Sequence, residues 1–304
     1  LGEDFRAPAV KPMCPCTELT HMDVRRLIRS QRLKSIPAVM QELGWKTSCG
    51  CAACRPALNY YLLCDWPGEY EDDYRSRFIN ERVHANIQKD GTFSVVPRMW
   101  GGITNAAELR AIADAADKYQ VPTVKVTGGQ RIDLLVSGQA YAKGLRTVKT
   151  CVGTDHCRFG TQDSTGLGIE LEKKLWGAWT PHKIKMAVTG CPRNCAEATC
   201  KDLGVVCVDS GFELHIGGAA GLHVKATELL CKLTEGADVV EHCAAAIQLY
   251  REEAQYLHRM YKWIDVVGLD HVRERVVEDA ESRRALAARF FHAQRFMQQD
   301  PWAE

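Results

Sequence analysis

The sequence predicts an α+β protein built from several small units, and three observations carry that reading. Its 304 residues, 46% of them hydrophobic, are enough to bury the cores of two or three domains. Strand-like runs are interspersed with helix-periodic ones, as in a sheet covered by helices on one side. Eight of the fourteen cysteines fall into two ligand-like sets, each set spanning separate segments of chain.

In chain order, residues 1–66 form a first, helical unit with a Pro-rich lead (Pro8, Pro12, Pro15) around Cys14 and Cys16. Val24, Leu27 and Ile28, then Val39, Met40 and Leu43, recur at helical spacing on either side of Pro37 and predict two short helices. The acidic stretch Asp65 to Tyr74 reads as a solvated linker. A second unit, residues 77–145, opens with a predicted hairpin of Val83–Gln88 and Thr92–Val96 about Lys89-Asp90-Gly91. Asn105 and Glu108 suit a capping box for a helix to Tyr119. Strands follow at Thr123–Thr127 and Ile132–Val136, and a helix is expected to start within Ala140–Leu145.

Residues 146–237 predict a helix near Leu167–Leu175, a strand at Ile184–Thr189, and a hairpin of Gly204–Asp209 with Phe212–Gly217. Residues 238–304 are charged and mostly helical, with Ala244, Ile247, Tyr250 and then Leu257, Tyr261, Ile264 on one face.

Lysine plus arginine number 39 against 38 acidic residues, which excludes the net basic field of a non-specific nucleic-acid binder. No apolar run reaches the roughly 20 residues that span a bilayer, and the N-terminus lacks the pattern of a secretory signal. A cytoplasmic location is the expectation. The first residue is Leu1 rather than methionine, which suggests part of a longer polypeptide.

Fourteen cysteines raise two readings, a disulfide framework or metal ligation, and the spacing favours metal. Cys151-x5-Cys157 and Cys191-x3-Cys195 bring four thiols in two pairs, suited to a cubane cluster, with zinc and buried structural thiols as the alternatives. Cys14-x-Cys16 and Cys51-x2-Cys54 form a second set, with Cys49 close enough to compete and zinc again an alternative. Cys64, Cys200, Cys207, Cys231 and Cys243 fit no ligand spacing and read as packing residues. His156, inside the first cysteine loop, reads as a supporting residue.

The strings Thr150-Cys151-Val152-Gly153-Thr154-Asp155-His156-Cys157 and Val188-Thr189-Gly190-Cys191-Pro192-Arg193-Asn194-Cys195 resemble the paired motif of the nitrite and sulfite reductases that couple sirohaem to a [4Fe–4S] cluster. The N-terminal set resembles the [2Fe–2S] domain of bacterioferritin-associated ferredoxin and of nitrite reductase large subunits. The resemblance implies a small helical [2Fe–2S] domain, a ferredoxin-like half-domain, a sirohaem and [4Fe–4S] domain, and a helical tail. It makes Cys195 the bridge between cluster and sirohaem iron. It also implies six-electron reduction of nitrite to ammonia, with sulfite reduction, an electron-transfer module without turnover, or a zinc-stapled interaction protein as alternatives.

Lys183 and Lys185 alternate on the strand leading to Cys191 and are candidates to bind the anion, with Arg131 and Arg146 beside them and Arg158 in reserve. For the carboxylate-rich sirohaem, Arg193 and Asn194 in the cysteine loop and the free N–H groups of the run from Gly217 and Gly218 to Gly221 are candidates. No strand-bounded G-x-G-x-x-G is present, so the FAD and NAD(P)H domains of the family are expected outside this chain. The expected partners are those flavin and nicotinamide domains or a separate reductase, a small nitrite reductase subunit and a second copy of the chain, with no nucleic acid and no membrane.

Overall fold

The computed structural model describes residues 11–77, 86–87, 93–136 and 145–297. The chain divides into two compact units, Leu1–Phe78 and Ile79–Glu304.

The first unit is helical. Helix α1, His21–Ser30, starts at Thr20, whose hydroxyl accepts the Asp23 N–H while the Asp23 carboxylate accepts the Thr20 N–H, a reciprocal cap that satisfies two donors at once. Helix α2, Ile36–Glu42, is capped by Ser35. Pro37 lies inside its first turn and does not separate it from α1; a missing N–H costs nothing at that position. Val24, Ile28, Val39 and Met40 turn inward, and α3, Cys54–Asp65, adds Leu58, Tyr61 and Leu62 to the same core.

The acidic stretch after α3 is not the solvated linker that its composition suggests. Asp65 is buried at 3% exposure, held by Arg25 at 3.1 Å and Arg29 at 2.8 Å. Asp72 and Asp73 take Asn59, Arg77 and Arg55 as partners, and Glu69 pairs with Lys34. Partners on α1 and α3, with Lys34 from the α1–α2 turn, fold the run back onto the helices.

The second unit contains two larger sheets. Strands β1 (Asn86–Ile87), β2 (Phe93–Val95), β3 (Thr123–Val126) and β4 (Ile132–Val136) form an antiparallel sheet in the order β1-β2-β4-β3. The pairing of Ile87 with Phe93 bears out the first hairpin, whose turn lies outside the described residues. All four residues of edge strand β3 are exposed, Val126 at 78%. Helix α4, Ala106–Lys118, is capped by Asn105, which accepts from Ala107 and Glu108; Glu108 itself bonds Thr104, so only half of the expected box forms.

The second sheet has the order β11-β8-β7-β6-β5, with β5 (Leu145–Thr150), β6 (Ile184–Thr189) and β7 (Leu203–Val208) parallel. Leu145 therefore opens a strand where a helix was expected; Ala140–Gly144 lie outside the described residues. Strands β7 and β8 (Gly211–Ile216) form the expected hairpin, Val208 opposite Gly211. After a short β9–β10 ribbon (Ala219–Ala220, Val224–Lys225), β11 (Glu228–Leu233) pairs with β8.

Between β5 and β6 lie the one-turn helix α5 (Gly153–His156) and α6 (Ser164–Leu175). Helices α7 (Gly236–Glu253), α8 (Met260–Val267), α9 (Leu269–Arg273) and α10 (Ala280–Gln294) complete the unit. One face of the sheet packs Val148, Met186, Val188, Val205 and Leu214 against Leu171, Ala244, Ile247 and Tyr250. The predicted helical face fails at Leu257, which is 39% exposed at φ +70° between helices.

Candidate metal centres

The N-terminal thiols converge. Cys14 and Cys16 come from the lead segment, Cys51 from the bend before α3 and Cys54 from its first residue, and their four sulfurs lie within 4.8 Å of one another. Gly50 makes the bend possible: it sits at φ +66°, and a Cβ there would meet Met40 Cε at 2.4 Å and Cys54 Sγ at 3.0 Å. The Cys51 N–H donates to Cys54 Sγ at 3.1 Å. Burial acts to raise the Cys51 thiol, but hydrogen bonds from the backbone of Cys54 and Ala53 and from the thiols of Cys54 and Cys16 prevail and bring it down to about 7. Cys49 is exposed and stands outside the group, its carbonyl taken by Arg55. Two thiol pairs in a small helical unit suit two irons bridged by sulfide.

The second cysteine set is placed by the parallel ladder. Thr150 pairs with Val188, so β5 and β6 end side by side; Cys151 follows one strand end directly and Cys191 lies just beyond the other. Parallel strands thus deliver two loops to one edge, the Cys151–Cys157 loop and the Cys191–Cys195 loop. The Gly190 N–H donates to Cys151 Sγ at 2.9 Å, and Thr161 N–H donates to the Gly190 carbonyl at 2.7 Å. Glycine is required at this contact: a Cβ on Gly190 would meet Gly153 Cα at 2.8 Å, and one on Gly160 would meet the Gly153 carbonyl carbon at 2.7 Å.

Burial acts to raise the Cys151 thiol, yet hydrogen bonds from Ser164, Gly190, Gly153 and Thr189 bring it below the usual range, which favours the thiolate that an iron needs. Cys191 is buried, Cys157 half-buried and Cys195 exposed. Among the described residues these four do not gather as closely as the N-terminal set, and thiolates that each bind a different corner of a cubane need not.

Residues from the antiparallel sheet brace the first loop. Gln130, at φ +61°, donates from Nε2 to the Thr150 carbonyl at 2.6 Å and accepts the Thr150 N–H at 2.9 Å. The Thr150 hydroxyl donates to the Gly101 carbonyl. Sequence reasoning missed Gln130, Ser164 and Glu172; the Gly128-Gly129-Gln130-Arg131 turn was the one visible sign.

The remaining candidates lie elsewhere. Arg131 is 3% exposed, and its Nη2 donates to both oxygens of Glu172 at 2.9 and 2.8 Å, while Glu172 also accepts from Gly101 N–H. That guanidinium is committed to a buried ion pair. Arg146 belongs to β5; its side chain is outside the described residues. Lys183 precedes β6 and Lys185 is near its start, with Ile184 and Met186 in the core as expected. Four residue steps of strand, about 13 Å, separate Lys185 from Thr189 at the cysteine end.

Gly217 and Gly218 follow β8 at the end of the sheet away from the cysteine loops. Their N–H groups, expected to be free, donate to the carbonyls of Asp202 and Lys201 at 2.9 Å each. The Asn194 side chain closes its own loop onto Thr199. His156 is exposed. Cys207, Cys231 and Cys243 are buried as packing residues, with Cys207 pushed up to about 12 by burial; Cys64 and Cys200 are half-buried.

Comparison with known proteins agrees with this arrangement. The family described as "Nitrite and sulphite reductase 4Fe-4S domain" matches residues 141–284, and "Nitrite/Sulfite reductase ferredoxin-like half domain" matches 86–143. A "BFD-like [2Fe-2S] binding domain" matches 12–63, the segment holding all four clustered thiols. An assimilatory-type sulfite reductase of Nitratidesulfovibrio vulgaris is 30% identical over 215 residues, and the alignment covers 99% of that protein and 65% of this chain. The chain belongs to the nitrite and sulphite reductase family.

Within that family, the NAD(P)H nitrite reductase of Bacillus subtilis is 53% identical over 321 residues, covering all of this chain and 40% of that protein. The chain therefore spans well under half the length of that relative. Among solved structures, the Mycobacterium tuberculosis NirA protein aligns with a TM-score of 0.57 at 15% identity over 82% of this chain and 53% of that one, a likeness of fold. The family's [4Fe–4S] and [2Fe–2S] domains are both present, and the Cys14, Cys16, Cys51 and Cys54 group fits the second. No helix among the described residues is long and apolar enough to cross a membrane.

Proposed function

We propose that this chain reduces nitrite to ammonia as the electron-accepting end of a longer NAD(P)H-dependent enzyme. Two observations carry the reading: two paired-cysteine loops are delivered to one end of the parallel strands β5 and β6, and the N-terminal unit holds a four-thiol group of its own. The 53% identity to a NAD(P)H nitrite reductase supports the choice of substrate.

When bound, a [2Fe–2S] cluster, a [4Fe–4S] cluster and sirohaem would supply one-electron carriers and an open iron for the six-electron chemistry. The chain's own part is to hold them. Cys14, Cys16, Cys51 and Cys54 would bind the first cluster; Cys151, Cys157, Cys191 and Cys195 the second, with exposed Cys195 shared with the sirohaem iron. Gly190 N–H and Ser164 keep Cys151 ready as a thiolate. Lys183 and Lys185 are proposed to draw the anion. Flavin and nicotinamide domains elsewhere in the longer polypeptide would be the electron source, with a small subunit and a second copy as further partners, in the cytoplasm. The four sequence segments, 1–66, 77–145, 146–237 and 238–304, are proposed as the working domains.

A sulfite-reducing reading is favoured by one observation, that the chain covers 99% of an assimilatory-type sulfite reductase. The test is the purified chain's absorption spectrum with iron, acid-labile sulfide and zinc analysis, followed by turnover of nitrite and of sulfite with a small artificial donor. Sirohaem with both clusters and a preference for nitrite is the expected result. Zinc in place of iron and sulfide, or absent sirohaem, overturns the proposal, and a preference for sulfite selects the second reading.

A further inference from the structure

Side chains of the two cysteine loops meet at one aromatic ring. Phe159, 41% exposed and two residues past Cys157, has the guanidinium carbon of Arg193 at 3.9 Å from its ring centroid and that of Arg158 at 4.7 Å. Arg193 lies between Cys191 and Cys195 in the other loop. Both arginine side chains are exposed, and among the described residues neither makes a hydrogen bond or an ion pair. The acid near the second loop, Glu197, is occupied by Lys149 at 3.2 Å and Lys201 at 3.0 Å.

Gathering two like charges at one ring is unfavourable, and the ring's negative face offsets only part of that. An arriving anion removes the remainder. A guanidinium stacked on a ring keeps its N–H edge pointing outward, and that planar fork matches a carboxylate with two parallel hydrogen bonds, which an ammonium cannot do. The N–H groups of Gly217 and Gly218 are already used within the fold, so they do not compete for this role.

We propose that Arg158 and Arg193, held together by Phe159, form a clamp for the rim carboxylates of the sirohaem bound beside Cys195. The inference rests on the proposed function and adds to it the residues that grip the macrocycle. Phe159 is a positioning residue: it fixes the two forks and ties the two loops into one rim.

The test uses the full chain purified with its cofactors and reads sirohaem per [4Fe–4S] cluster together with the rate of sirohaem loss on dilution at low and high salt. Arg158→Gln and Arg193→Gln should each speed sirohaem loss about tenfold or more, as expected for a hydrogen bond to a charged group, while iron and acid-labile sulfide stay at wild-type content. Arg193→Lys should recover only part of the retention. Phe159→Ala should resemble loss of both arginines, and Phe159→Tyr should restore the wild-type rate. If every variant retains sirohaem as the wild type does, the clamp is wrong and the proposed function stands. If acid-labile sulfide is lost in parallel with sirohaem, the three residues shape the cluster loops and the clamp is again wrong. A wild-type chain that holds the clusters but no sirohaem overturns both.

Discussion

The Gly190 N–H points at Cys151 Sγ from 2.9 Å, across the seam between two parallel strands. This single donor both stabilises the thiolate and brings the two cysteine loops into register. The room is so tight that a methyl group on Gly190 would stand 3.2 Å from the sulfur and 2.8 Å from Gly153 Cα. Gly190→Ala should therefore lose the [4Fe–4S] cluster and keep the [2Fe–2S] cluster. Electron paramagnetic resonance of the reduced protein with iron and sulfide counts checks this, and a full cubane in the variant would show that the loops relax.

Arg131→Met should destabilise the second unit by about 3–5 kcal/mol, because it leaves the Glu172 charge, 3% exposed, without its partner. The double variant with Glu172→Leu should recover much of the loss, since both charges then leave the core together. Denaturant unfolding of the three proteins measures the difference. A single variant as stable as wild type would return Arg131 to the list of open-site candidates.

For the N-terminal centre, Cys51→Ser should abolish the [2Fe–2S] spectrum and Cys49→Ser should preserve it, because only Cys51 belongs to the four-sulfur group. The reverse pattern would exchange the two ligands.

Burial holds the His242 imidazole below the usual histidine value of 6.5, and nearby Arg283 adds to this, against the opposing pull of the Asp238 carbonyl and the Glu241 and Asp238 charges. The unfolded chain then takes up this proton more readily than the folded one. Above pH 6.5 the group adds nothing; as pH falls below that value it costs stability until the folded imidazole also protonates. Urea midpoints at pH 7.5 and 5.5 should differ less for His242→Asn than for wild type, although His215 and His258, also lowered by burial, keep some slope in both. Equal slopes would mean that His242 takes up its proton alike in the folded and the unfolded chain.

Alanine at Lys183 or Lys185 should leave iron and sulfide unchanged and reduce nitrite turnover. Direct contact with the anion predicts a loss of about 10²–10³-fold. Steering across the roughly 13 Å of strand beyond Lys185 predicts a few-fold loss that fades with salt. Wild-type kinetics at low and high salt would remove both lysines from the function.

Local signals in the sequence were reliable where short-range chemistry decides the outcome. The two short helices of the first unit, strand Ile184–Thr189 and the Cys14/Cys16/Cys51/Cys54 set follow from spacing, and the start of the helix at Asn105 follows from capping. What escaped was long-range pairing. The acidic run after Asp65 looks solvated until Arg25, Arg29 and Arg55 are brought to it, and Arg131 looks available until Glu172, 41 positions later, takes it. The Gly217 and Gly218 N–H groups look free for the same reason, since the carbonyls that accept them belong to a crossover that no local pattern reveals.

The edge strand β3 has a consequence for handling the protein. Among the described residues, Thr123-Val124-Lys125-Val126 presents exposed side chains on an unpaired margin of its sheet, a surface on which another extended chain could add itself. Lys125 is the safeguard, because a strand docking there must desolvate or displace its ammonium. Colloidal behaviour at high concentration thus depends on one exposed charge, and a surface redesign that exchanged Lys125 for valine would turn the margin into a nucleus for precipitation.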